Sequence, residues 1–270
     1  MFCLTVLMDG LSPRRHDLAA QHGLSFLLET AGFSLIFDCG AGESTWSNAL
    51  GLGRDLTRLD AIVLSHGHYD HAGGLASFPQ RLPPVYTGPG FLCPKYARCG
   101  PGYTCLSPGF STGFWAGVDH RTVDGQTPLR PDILLIGGFP RYYPFEAVSG
   151  RYLRRGTEGM EPDEFTDEIC LAVVTERGVT MVVGCAHPGI CNMVRHVQTV
   201  TGRPVIRLVG GLHLNKAEPA RLEATAQVMA GWPQLTCLGL NHCTGQAAET
   251  RLAQGRQAGH LAPGDCLFWS

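Results

Sequence analysis

The segment Ala61-Ile62-Val63-Leu64-Ser65-His66-Gly67-His68-Tyr69-Asp70-His71 constrains this chain more than any other. Its apolar, β-branched start reads as a buried strand over residues 61–64. Three histidines and one aspartate then fall within six residues. Gly67 permits a tight turn at the strand end. Side chains 66 and 68 point the same way in an extended arc, because side chains alternate there. Asp70 and His71 open a helix through Ala72-Gly73-Gly74-Leu75, and an acidic residue is favourable in a first helical turn. Imidazole nitrogens and a carboxylate oxygen are the ligands that a borderline divalent cation prefers. Four of them so close together do not converge comfortably on one ion. They serve two adjacent ions, His66 and His68 on one, Asp70 and His71 on the other. That points to metal-assisted hydrolysis, in which two cations turn a shared water into hydroxide near neutral pH. Asp70 is the residue placed to take the proton, with His213 or Asp167 as donors to the leaving group.

The chain has 270 residues, 44% of them hydrophobic and 16% charged, with a formal net charge of −2. That suits one large α/β domain, residues 1–270, with a substantial core. The near-neutral balance leaves no electrostatic footprint for nucleic acid. No segment approaches the roughly 20 apolar residues of a membrane helix. Residues 1–8 are apolar but lack a basic start and stop at Asp9, so they read as a strand rather than a signal peptide. The eleven cysteines are odd in number, and Cys3, Cys170, Cys237 and Cys266 sit in apolar runs. Reduced thiols in a cytoplasmic protein fit that pattern better than a disulfide scaffold.

Further strands are expected over residues 2–8, 25–30, 34–38, 133–136, 204–209 and 234–240. Residues 169–175 and 179–183 flank Glu176-Arg177-Gly178 as a hairpin. Helices are expected over 43–50, 190–201 (from the spacing of Ile190, Val194 and Val197) and 219–230. Residues 76–130 read as a Gly/Pro/Cys-rich insertion. Within it Cys93, Cys99 and Cys105 recur every six residues, which is not the spacing of a zinc knuckle or a ferredoxin run. An accessory metal site, a lid and an oligomer contact are the readings open there. Arg151-Tyr152-Leu153-Arg154-Arg155 is a dense basic cluster, either a solvated face or a phosphate-binding loop.

His-x-His-x-Asp-His after an apolar strand resembles the signature of the metallo-β-lactamase superfamily. Asp38, the Cys185–His187 region and His242 each follow a later or earlier strand in the order that superfamily has. His22-Gly23-Leu24-Ser25, Asp167-Glu168, Gly184-Cys185-Ala186-His187-Pro188-Gly189-Ile190, Gly210-Gly211-Leu212-His213-Leu214 and His242-Cys243-Thr244-Gly245 resemble one subgroup. Its members are labelled 7,8-dihydropterin-6-yl-methyl-4-(β-D-ribofuranosyl)aminobenzene 5′-phosphate synthase-like. The resemblance implies an α/β fold, the αββα sandwich of the metallo-β-lactamase type. It also implies that His66, His68, Asp70, His71, His187 and His242 are metal ligands. Asp38 would orient a ligand histidine by hydrogen bond, cap the Gly40-Ala41-Gly42 turn, or do both.

The middle of the chain departs from the better-known members. Those have a histidine ahead of the hairpin and a bridging aspartate after it. Here residues 162–168 hold no histidine, and Cys185 stands where a Gly-Asp pair is usual. The resemblance implies that His187 supplies the imidazole. Cys185 is open to three readings: a bridging thiolate, a neutral packed residue, or a redox-active thiol. A thiolate bridge would favour zinc or iron over magnesium. Asp167 either replaces the missing ligand, carries a proton, or is a surface carboxylate at the start of the hairpin.

Gly210 and Gly211 let backbone approach a ligand next to His213. His213 with Lys216 at a helix start suits a phosphate, and Thr244 offers a hydroxyl to the same group. His22 either lines the pocket or satisfies a buried polar group. The expected function is a dinuclear metal-dependent hydrolase of a small phosphorylated or pterin-like molecule. Its cofactor is two divalent ions, zinc first, with iron and manganese as alternatives. The other readings are a pterin-cofactor synthase of transferase type, as the subgroup label implies, and a non-catalytic metal or redox sensor. The expected partner is a small molecule, with no nucleic acid and no membrane, and self-association left open.

Overall fold

A computed structural model describes residues 1–79 and 81–270. The chain divides into two compact units. The first holds residues 1–122, 150–163 and 261–270, and the second holds residues 123–149 and 164–260.

The first unit is built on a seven-stranded sheet. Its order is Cys266–Trp269, Phe2–Met8, Ser25–Thr30, Phe33–Phe37, Ala61–Val63, Val85–Thr87, His120–Thr122. Pairing is antiparallel as far as Phe33–Phe37 and parallel beyond it. Parallel strands are buried on both faces and therefore read as unbroken apolar runs. Leu35, Ile36, Phe37, Ala61, Ile62 and Val63 are buried in this way. The helix Ser44–Gly51, one residue later than the sequence suggests, lies in the crossover between the first two parallel strands. It is tied down by the buried Asn48, whose Nδ2 donates to the carbonyls of Leu7 and Ala19, both at 2.8 Å. The Asn48 Oδ1 accepts the Ala19 N–H, so both ends of one amide are satisfied.

A second, four-stranded antiparallel sheet belongs to the same unit. Its order is Met160–Pro162, Tyr152–Arg155, Lys95–Cys99, Gly102–Cys105. Lys95 Nζ and Asp163 Oδ2 form a fully buried ion pair at 2.7 Å beside it. Residues 76–130 thus contribute Val85–Thr87 and His120–Thr122 to the large sheet, a hairpin to the small one, and Gln126–Arg130 to the sheet of the second unit.

The second unit carries its own seven-stranded sheet, ordered Gln257–His260, Cys237–Leu240, Val205–Gly210, Gly178–Val183, Cys170–Thr175, Ile133–Ile136, Gln126–Arg130. The first four strands run parallel and the rest antiparallel. Each unit therefore repeats one design, half parallel and half antiparallel. The expected hairpin forms, between Cys170–Thr175 and Gly178–Val183. The expected helices Ile190–Thr201 and Pro219–Ala230 are present. The strand expected over 234–240 starts only at Cys237, because Leu235 N–H turns back to the Trp232 carbonyl. Helix Ile190–Thr201 buries Ile190, Met193, Val194 and Val197, one face at helical spacing, against a core that includes Met181, Val183, Leu208 and Met229. It stops at Gly202, whose φ of 64° is left-handed.

The other end of that helix is held by the buried Glu146. Its two carboxylate oxygens accept the N–H groups of Cys191 (2.9 Å) and Asn192 (2.7 Å). An anion at a helix N-terminus is favourable. Burial nonetheless pushes the carboxyl above the usual glutamate range, against the pull of both N–H groups and the Arg221 charge. An acid raised in this way stabilises fully below its unfolded pKa and loses that contribution as pH rises through the folded one. Melting temperature should therefore fall on this account as pH rises from about 4.3. Glu146→Gln should flatten that dependence while costing about 1 kcal/mol of capping. An unchanged pH slope in the variant's thermal melts would count against this account.

Candidate metal centre

In the first unit Phe37 and Val63 are register partners, so two parallel strands end level. Their carboxyl ends, the usual place for ligands in an α/β sheet, carry Asp38 and Ser65-His66. Asp38 is fully buried. Its Oδ1 accepts the Ser65 N–H at 2.7 Å, and its Oδ2 accepts the Ser65 hydroxyl at 2.8 Å. The same Oδ2 lies 2.6 Å from His71 Nδ1. A carboxylate can only accept, so His71 carries its proton on Nδ1 and presents Nε2. Ser65 Oγ lies 2.9 Å from His66 Nδ1. Having given its proton to Asp38, the hydroxyl accepts from His66, which therefore also presents Nε2. One carboxylate thus sets the tautomer of two imidazoles, one directly and one through a serine.

The His66 ring lies 4.5 Å from that of His68 and 4.3 Å from that of His71, centroid to centroid. A His66 nitrogen is within 4.8 Å of a nitrogen in each of them. Asp70 and His71 lie on the short helix Tyr69–Ala72, as expected. Its backbone is pinned at both sides: Leu24 N–H donates to the Asp70 carbonyl (3.1 Å), and Tyr69 N–H to that of Leu106 (2.7 Å). Residue 23 must be glycine there, since a Cβ would sit 2.4 Å from the Asp70 oxygen. His22 Nε2 is 3.1 Å from Asp70 Oδ2, and this bond raises the imidazole's pKa above its ordinary value. The Tyr152 ring is 5.9 Å from the His68 ring, and the Arg151 guanidinium lies 5.2 Å from the Tyr152 centroid. The basic cluster is therefore divided: Arg151 flanks the histidines through Tyr152, while Arg154 pairs with Glu161 at 2.7 Å.

In the second unit Val183, Gly210 and Leu240 are register neighbours, so three parallel strands end level. The loops that follow bear Cys185 and His187, His213, and His242 and Cys243. Glu168, fully buried, accepts the N–H groups of Ala186 (2.6 Å) and His187 (2.9 Å) and so fixes the first loop. The His187 ring stacks on Phe165 at 3.8 Å and lies 4.3 Å from the His213 ring. Cys185 Sγ and Cys243 Sγ are both buried and 3.3 Å apart. Donor atoms of Cys185, His242 and Cys243 all lie within 4.8 Å of one another. The Thr244 hydroxyl accepts the Leu212 N–H (3.1 Å) and donates to the Asn241 carbonyl (2.8 Å), which braces two loops. Lys216 is exposed in the turn before Pro219–Ala230. Asp167 is buried, not at the surface.

The sequence assigned no individual role to Cys243, Ser65, Tyr152 or Glu168, although Cys243 and Glu168 lie in the subgroup motifs and Tyr152 in the basic cluster. Cys243 follows a candidate ligand directly, and that adjacency was a signal of its role. Tyr152 and Glu168 act through partners far away in sequence or through backbone N–H groups, and Ser65 links the distant Asp38 to its neighbour His66.

Among the described residues five non-glycines adopt left-handed backbone: Asp38 (φ 60°), Phe165 (51°), Ala186 (56°), His213 (50°) and His242 (50°). All five are site residues or touch one. Such strain concentrates where side-chain placement matters more than local comfort.

The donors suit a divalent cation: imidazoles and a carboxylate in the first unit, imidazoles and thiols in the second. Residues 19–102 match the model of the metallo-β-lactamase superfamily. Over 254 residues the chain is 30% identical to the 7,8-dihydropterin-6-methyl-4-(β-D-ribofuranosyl)-aminobenzene-5′-phosphate synthase of Methanocaldococcus jannaschii, covering 85% of this chain and 83% of that one. The chain belongs to the metallo-β-lactamase superfamily, in that synthase's subgroup. An uncharacterised protein of the same organism is 27% identical over 254 residues, covering 93% and 94% of the two chains. A solved structure described as a metal-dependent hydrolase of the β-lactamase superfamily matches all of both chains with a TM-score of 0.87 at 25% identity. The α/β fold is thus of the metallo-β-lactamase type, as expected from the sequence. Members of this superfamily commonly bind divalent metals and are usually enzymes. No described helix is long and apolar enough to cross a membrane.

Proposed function

We propose that this superfamily member is a dinuclear metal-dependent hydrolase acting on a small phosphorylated or pterin-like molecule. The observation that carries the reading is the buried Asp38, which holds His71 directly and His66 through Ser65 with both Nε2 atoms presented. A structural histidine needs no such control of its tautomer; a ligand does. On the strength of family membership we assign His66, His68, Asp70, His71, Cys185, His187 and His242 as ligands of two divalent ions. Zinc is the first choice, with iron and manganese as alternatives. Bound divalent ions supply Lewis acidity and a water acidic enough to ionise near neutral pH.

The chain's own residues do the rest. Asp70 holds the proton released at the nucleophile, and its contact with His22 gives that proton a route outward. His213 and Asp167 protonate the leaving group. Arg151 and the Tyr152 ring beside His68 suit a phosphate and a planar ring in the first unit, and Lys216 with His213 suits a phosphate in the second. The eleven cysteines, none of them in a disulfide, suit a reducing compartment, and we place the protein in the cytoplasm.

The printed name of the M. jannaschii relative favours a second reading, a synthase of transferase type in pterin-cofactor assembly. The two readings differ in whether an aminobenzene co-substrate is needed.

Elemental mass spectrometry of metal per chain, wild type against His68→Ala, tests the first reading. About two zinc or iron ions, fewer in the variant, with turnover of phosphoesters or pterin phosphates alone, is the expected result. No metal after reloading would sink it. Turnover only with both pterin and aminobenzene substrates present would move the synthase to the front.

A further inference from the structure

We propose that Cys243 is a metal ligand, and that it forms with Cys185 and His242 a sulfur-rich site in the second unit that selects thiophilic cations over manganese and magnesium. The proposal rests on the metal-centre reading above, to which it adds a residue, a donor type and a selectivity.

Three donor atoms from this unit alone lie within 4.8 Å of one another. The two sulfurs are 3.3 Å apart, far beyond the ~2.05 Å of a disulfide. Two sulfurs each about 2.3 Å from one tetrahedral zinc lie roughly 3.8 Å apart, so the pair needs only a small adjustment to share an ion.

The backbone is arranged around Cys243, whose thiol faces the sulfur and the carbonyl of Cys185 at 3.3 and 3.8 Å. The His213 N–H donates to its Sγ at 3.2 Å, which fixes the direction of the sulfur. The Leu214 and Asn215 N–H groups both donate to its carbonyl at 3.1 Å, which fixes the residue's position. Residue 211 is glycine, where a Cβ would come within 2.7 Å of the sulfur. The preceding His242 takes left-handed backbone, φ 50°, which sets consecutive ligand side chains on their course.

Two thiolates and an imidazole form a soft donor set, suited to zinc and iron(II) and poor for magnesium or manganese. Binding is balanced by proton release: each thiol gives one proton to solvent as its sulfur takes the cation.

Cobalt(II) substitution of the full-length protein tests this. The wild type should show a thiolate-to-cobalt charge-transfer band in the near ultraviolet. That band should weaken in Cys243→Ser and in Cys185→Ser, with zinc affinity at least about tenfold lower in each. Manganese affinity should fall by much less than zinc affinity in both variants. X-ray absorption of the fully loaded two-zinc form should count about one sulfur per zinc, and about half that in Cys243→Ser. Should the variants fail to fold, proton release by the wild type decides: zinc should release up to two more protons than manganese. Cobalt bound without the band, or with a band that Cys243→Ser leaves intact, overturns the proposal while the metal-centre reading stands. A Cys185–Cys243 disulfide in protein purified without oxygen also overturns it. A wild type that binds no metal at all overturns the metal-centre reading itself, and this proposal with it.

Discussion

Asp38→Asn is expected to lower metal affinity and turnover about 10- to 100-fold while the fold survives. Asparagine tolerates the left-handed backbone of position 38, so the effect isolates the side chain. The carboxylate accepts from three donors: Ser65 N–H on one oxygen, Ser65 hydroxyl and His71 Nδ1 on the other. An amide has one oxygen, and whichever way it turns, its NH2 confronts at least one N–H. His71 then loses its fixed tautomer, or Ser65 loses its direction and His66 with it. Metal titration by calorimetry, with circular dichroism to establish folding, measures the effect. Affinity within twofold of wild type would show that Asp38 merely caps the turn after its strand.

Glu168→Gln is expected to destabilise the protein by about 1–3 kcal/mol and to weaken metal binding as well. Each carboxylate oxygen holds one N–H of the Ala186-His187 loop, so the glutamine NH2 leaves one buried donor facing another. Ala186 sits in left-handed backbone and depends on that restraint. The loop carries Cys185 and His187, so loosening it should blur both. Melting of the metal-free protein reads the first effect and zinc titration the second. A lower melting temperature with unaltered zinc affinity would show that Glu168 supports the fold alone.

What the sequence makes legible is local. The unbroken apolar run 61–64 followed by four metal-type side chains identifies a strand end and a site together. Ile190, Val194 and Val197 reveal a helix through 3.6-residue spacing, and a Gly-containing turn reveals the hairpin before it. The four-stranded sheet was not legible. Gly102–Cys105 is wholly exposed and has no apolar alternation, and Tyr152–Arg155 finds its partner in Lys95–Cys99, over fifty residues earlier. The C-terminal strand Cys266–Trp269 was missed for a similar reason, since it pairs with Phe2–Met8 at the other end of the chain. In the site, the adjacency of His66, His68 and His71 was readable because the turn is short. The closeness of Cys185 and Cys243 is made by three parallel strands ending level, which is a property of register and leaves no trace in residue spacing.

The left-handed residues have a practical consequence. Each costs about 1 kcal/mol or more relative to glycine, together on the order of 5 kcal/mol, a large share of a typical domain's stability. A chain selected only to stay folded when heated would trade the half-buried ones of these side chains away. A library screened for thermal resistance, blind to any reaction, should therefore enrich glycine at the half-buried positions 213 and 242, whereas the buried hydrogen bonds of Asp38 and the packing of Phe165 and Ala186 outweigh their strain. The map of those gains would outline the working surface of the protein before its substrate is in hand.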